Sequence, residues 1–79
     1  MEYNQQTYLR DNGDEGIDGI AIIEVSDSEG YRVTENREDG WCKPFWMPES
    51  ELLSHDTEHV GTLTSEQYLL LCEAIGVAE

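Results

Sequence analysis

Four side chains of this sequence are soft or borderline metal ligands: Cys42, His55, His59 and Cys72. Four is the right number for a closed tetrahedral zinc site, and the i, i+4 spacing of the histidines would put both on one face of a helix. The pattern is otherwise unlike a zinc motif. The cysteines form no CxxC knuckle, Gly61 interrupts any helix through the histidines, and Cys72 lies among leucines. The expected outcome is two thiols in the core and two histidines at the surface.

Hard oxygen ligands crowd a different stretch, "DNGDEGIDG" at 11–19, which holds Asp11, Asp14, Glu15 and Asp18 among three glycines. An EF-hand loop requires oxygens at positions 1, 3 and 5, glycine at 6 and a bidentate Glu at 12. Started at Asp11, the frame puts Gly13 at position 3 and Ile22 at position 12; started at Asp14, it puts Gly16 and Val25 there. Both frames fail, so a solvated acidic loop is expected, with no metal and no cofactor. No nucleophile elbow or phosphate loop occurs, and four scattered bases offer little to stabilise an oxyanion. A non-enzymatic binding function is the expectation.

The elements that must position these residues follow from local patterning. Seventy-nine residues suit one small α+β domain, 1–79, whose 38% hydrophobic content supplies a modest core. Residues 1–10 predict a short edge strand or an ordered lead-in. "GIAIIEVS" (19–26) is β-branched and bounded by turn residues, which predicts a central strand. Alternation would place Ala21, Ile23 and Val25 on one face and Ile20, Ile22 and Glu24 on the other. "DSEG" (27–30) predicts a hairpin turn, "YRVTEN" (31–36) a second strand, and "REDG" (37–40) a second turn. "WCKPFWMP" (41–48) reads as an aromatic strand that Pro44 confines to an edge or a bulge. The sheet expected is antiparallel, with three strands or a fourth if 56–63 is a strand rather than a loop.

Pro48 is suited to open a short helix carrying Glu49 and Glu51 in its first turn. Thr64 and Gln67 form a capping box ahead of "YLLLCEAI", and Gly76 supplies the stop. Tyr68, Leu71, Cys72 and Ile75 share a stripe, and Leu69, Leu70 and Ala74 widen it almost all round. So apolar a helix packs on the sheet, enters a homodimer interface, or does both.

Charge is the most informative property. Eighteen acids against four bases give a formal net charge of −14. Such a chain avoids nucleic acid and anionic membranes unaided, and its natural partners are cationic. Asp11, Asp14, Glu15, Asp18, Glu24, Asp27, Glu29, Glu35, Glu38 and Asp39 fall within one 29-residue stretch, mostly in predicted loops and turns. Duplex DNA carries one charge per roughly 1.7 Å, so −14 corresponds to about 24 Å of duplex, or about seven base pairs. A domain of 79 residues is about that long.

In size and charge the chain resembles the small acidic phage- and plasmid-encoded inhibitors that mimic nucleic acid: anti-CRISPR proteins, anti-restriction proteins and uracil-DNA glycosylase inhibitors. No specific motif carries the likeness. It implies a cytoplasmic protein that occupies the basic nucleic-acid-binding surface of a host protein with the ten carboxylates named above. Of the aromatics Trp41, Phe45 and Trp46, two are expected in the core and one at the surface; Trp41 or Trp46 would anchor the complex. The alternative is an adaptor or assembly module that binds through the aromatic strand and the C-terminal helix. The absence of a signal-peptide pattern and of any long apolar run agrees with a cytoplasmic location outside the membrane.

Overall fold

A computed structural model describes residues 3–12 and 17–76. The chain forms an open antiparallel sheet with two helices, an α+β fold. Its elements are β1 (Thr7–Asp11), β2 (Ile17–Ser26), β3 (Gly30–Arg37), β4 (Gly40–Trp41), β5 (Phe45–Met47), α1 (Glu49–Ser54), β6 (Thr57–Thr62) and α2 (Ser65–Ile75). The sheet has six strands rather than three or four, in the order β4-β3-β2-β1-β6, with β5 also paired to β3.

The expected meander is present as β2, β3 and the β4/β5 edge. Gly30 and Gly40 turn the chain with φ of +94° and +105°, a region closed to most side chains. Gly30 has a second reason to be glycine. A Cβ there would lie 2.5 Å from the Met47 carbonyl and 3.0 Å from Pro48 Cα, where the chain enters α1. Pro44 lies in the unpaired gap between β4 and β5, where its missing N–H costs no ladder hydrogen bond.

Two sequence expectations need correction, and one open alternative is resolved. The N-terminal segment is an interior strand: β1 lies between β2 and β6 and is hydrogen-bonded along both sides. The alternative left open for 56–63 resolves to a strand, β6, which forms the far edge. Val25 does not join Ala21 and Ile23. A bulge between Ile22 and Glu24 opposes an extra residue to β3, and the alternation changes phase. Val25 therefore packs with Ile20 and Ile22.

Both faces of β2 are covered by helices. On the first face Leu9, Ile20, Ile22, Tyr31, Val33 and Met47 meet Leu52 of α1, most of them with no exposure at all. On the second, Ala21 and Ile23 meet Tyr68, Leu71 and Cys72 of α2, with Tyr8, Trp41, Leu63 and Ile75 at the margin. Helix α2 realises its capping box. Thr64 Oγ1 accepts from the Gln67 amide at 3.1 Å, and Gln67 Oε1 accepts from the Thr64 amide at 3.0 Å. Gly76 closes the helix in the left-handed conformation.

Candidate functional site

The predicted acidic residues divide into three groups. Asp14 and Glu15 lie outside the described residues. Asp18, Glu24, Asp27, Glu29, Glu38 and Asp39 are exposed. Asp11 and Glu35 are turned inward, which corrects the expectation that they project from the surface. Alternation directs both onto the α1 face, where each meets a base. His55 Nδ1 stands 3.3 Å from Asp11, and the Arg37 guanidinium donates to Glu35 at 3.1 Å. Buried carboxylates without such partners would be strongly destabilising.

The exposed acids of the β2–β3 hairpin and the turn after it gather at two poles. The turn between β2 and β3 carries Asp27 and Glu29. At the opposite end of the hairpin, Ile17 pairs with Arg37, which brings Asp18 near the turn holding Glu38 and Asp39. The ten residues of β2, about 30 Å at about 3.3 Å per step before two bulges shorten the strand, run to about the full length of a molecule whose longest extent is 29 Å. Glu24 lies between the poles, 3.6 Å from the Arg32 guanidinium.

The aromatic segment departs from expectation. Only Trp41 packs on a core, while Phe45 and Trp46 are each 37% exposed. The buried residue of β5 is Met47. The cause is position: β5 pairs with β3 alone, at the edge of the sheet. Trp41 is held from one side. The Tyr8 ring meets it edge-on, with centroids 6.0 Å apart at 72°. Tyr8 in turn lies across Gly19, where a Cβ would approach its hydroxyl to 2.5 Å.

Sequence reasoning missed a depression beside Trp41. Its volume is about 290 Å³, and Trp41, Leu63, Gln67, Leu70, Leu71 and Ala74 line it. The signal was the apolar stripe of α2, too wide for one face of a sheet. Leu69 and Leu70 are left 43% and 61% exposed.

The polar heart of the α2 face is Tyr68. Its hydroxyl donates to the Ile23 carbonyl and accepts from Gln5 Nε2, both at 2.8 Å. Burial, only partly offset by the Gln5 hydrogen bond, raises its pKa above the ordinary tyrosine value. Cys72 is buried, whereas Cys42 is half-buried and its sulfur accepts from the Glu35 amide at 3.4 Å. Among the described residues, no three of His, Cys, Asp and Glu gather closely enough to hold a metal ion. Among the described residues no helix is long and apolar enough to cross a membrane.

Over the described residues the fold is a six-stranded open α+β sheet with an acidic surface and an apolar depression beside Trp41. Comparison with known proteins finds no matching family, no similar curated protein and no similar solved structure.

Proposed function

We propose that the protein is a non-enzymatic inhibitor that occupies the basic nucleic-acid-binding surface of another protein. The observation that supports this reading is the two-pole array of exposed carboxylates. Asp18, Glu38 and Asp39 stand at one end of the hairpin, Asp27 and Glu29 at the other, with Glu24 between. The poles lie within the 29 Å longest extent of the molecule, which is the length of at most about eight base pairs at one charge per roughly 1.7 Å of duplex. Of the four basic residues, Arg32 and Arg37 already face Glu24 and Glu35 and dilute the negative field little elsewhere. Complementary charge of this kind steers association and fixes register on a basic groove.

The exposed apolar side chains of α2 and β5 favour a second reading, an adaptor whose charge serves solubility alone. Salt and charge reversal separate the two. Tagged protein would be used to capture partners from host lysate at low and high salt, beside the variants Asp27→Lys/Glu29→Lys and Asp18→Lys/Glu38→Lys/Asp39→Lys. Inhibition by mimicry predicts capture of a nucleic-acid-binding protein, competed by duplex DNA or guide RNA and lost in both variants. Salt-indifferent capture of a protein without nucleic-acid affinity, unchanged in the variants, would overturn it in favour of the adaptor.

A further inference from the structure

We propose that the depression between Trp41 and α2 is an anchor site for one large apolar side chain, aliphatic or aromatic, presented on a cationic segment of a partner protein. The partner's charge rests on the acidic-surface reading above; the depression itself does not.

Size speaks first. Sites for cofactors and drug-sized ligands run from about 300 to about 1,000 Å³, and this one, at about 290 Å³, falls just below that range. It suits one side chain. Chemistry speaks second. Five of its six lining residues are apolar or aromatic, and the sixth, Gln67, has its amide oxygen engaged in the α2 capping box. No charged side chain lines it, so it selects shape and apolarity.

Its rim supplies the charge. Glu38 and Asp39 form the turn that leads into Trp41, and on α2 Glu66 and Glu73 stand four residues before and three after the lining residue Leu70, on its side of the helix; all four carboxylates are exposed. Lys43 is a lone base two residues beyond Trp41. An acidic partner would be repelled, and that includes a second copy of this chain at −14. A cationic segment would be attracted, and its apolar side chain would cover Leu70, now 61% exposed. The site is also preformed, because Trp41 is braced by Tyr8 and Tyr8 is seated on Gly19. Little ordering would be needed on binding.

The test uses the full chain in a Trp46→Phe background, so that Trp41 is the only tryptophan reporting. Two capped peptides, Lys-Arg-Leu-Arg-Lys and Lys-Arg-Ala-Arg-Lys, are titrated at low and moderate salt and followed by tryptophan emission and calorimetry. The leucine peptide should bind about tenfold tighter than the alanine peptide, from the extra apolar surface buried. Salt should weaken both peptides and leave their ratio unchanged. Ala74→Phe, at an exposed helical position, should fill the depression and bring the ratio close to one while circular dichroism stays unchanged. Equal binding of the two peptides would overturn the anchor site and leave the acidic-surface reading standing. Tight binding of an uncharged Gly-Ser-Leu-Ser-Gly peptide would support the anchor and overturn the cationic partner. A concentration-dependent dimer in sedimentation, abolished by Ala74→Phe, would overturn the proposal in favour of a second copy as occupant.

Discussion

The two faces of the sheet are built from the same strands and finished differently. The α1 face is closed by a helix of only six residues. Leu52 seals it with no exposure, over Leu9, Ile20, Ile22, Tyr31 and Val33, and even its carboxylates Asp11 and Glu35 are matched by His55 and Arg37. The α2 face has an eleven-residue helix yet remains partly open, with Leu69 and Leu70 outward and a depression beside Trp41. The difference is one of alternation against excess. On the α1 face the central strands bury their apolar side chains completely beneath Leu52, and what is left exposed lies at the margins, Leu53 on the outer side of α1 and Phe45 on the edge strand. Helix α2 carries more apolar residues than its stripe can place on the sheet. The first arrangement supplies stability; the second leaves surface whose burial awaits a partner.

The sharpest way to break this contrast is a pair of truncations. Ile22→Ala, at a site with no exposure, should lower stability by about 3 kcal/mol in urea unfolding. Leu70→Ala should stay within about 0.5 kcal/mol of the parent. Similar losses in both would show that α2 is as closed as α1.

The next effect tests how the open face is braced. Gly19→Ala would push a methyl group against the Tyr8 ring and the Leu9 carbonyl, 2.9 Å away. A loss of about 2 kcal/mol is expected, with a red-shifted Trp41 emission as Tyr8 moves off it. Unchanged stability and emission would mean that Tyr8 does not brace the tryptophan. Thr64→Ala removes the cap of α2 and should cost about 1 kcal/mol, measured by thermal melting. Gln6, at φ +74°, holds a left-handed conformation between hydrogen bonds to Ile22 and Leu63. Gln6→Gly should therefore stabilise the fold by about 0.5 kcal/mol, and a lower melting temperature would count against strain there.

The α2 face should also respond to alkali through Tyr68. Folding raises the pKa of Tyr68 on the α2 face, so the native state keeps a proton that the unfolded chain loses near its ordinary value of 10.0. Its contribution is complete below that pH and is lost as the pH rises through the folded-state pKa. Urea midpoints should fall above about pH 10, the ordinary tyrosine value. Tyr68→Phe should be less stable at neutral pH, for want of two hydrogen bonds, and should show a shallower alkaline decline. An equally steep decline in the variant would assign the effect to another group.

Much of this was legible before any coordinates. The hairpin turns at 27–30 and 37–40, the break at Pro44 and both ends of α2 are set by neighbours a few residues apart, through positive φ, a missing N–H and a reciprocal cap. The candidate site was legible in part. Asp18, Glu24, Asp27, Glu29, Glu38 and Asp39 are exposed because turns and the outward positions of a hairpin project side chains into water. Asp11 and Glu35 look the same in sequence, yet burial became tolerable only when His55 and Arg37 arrived beside them. His55 comes from 44 positions further along the chain.

The amino-acid sequence by itself determined the α+β class, the meander, the capped final helix and the −14 charge, because each depends on composition or on contacts within a few residues. Only the tertiary structure decided that β1 is interior, that β6 forms the far edge of the sheet and that the bulge at Ile22–Glu24 sends Val25 to the other face. It also decided that Trp41, Leu63 and α2 enclose a depression. These features depend on which distant strands pair and in what register, and the same local alternation is compatible with several such pairings.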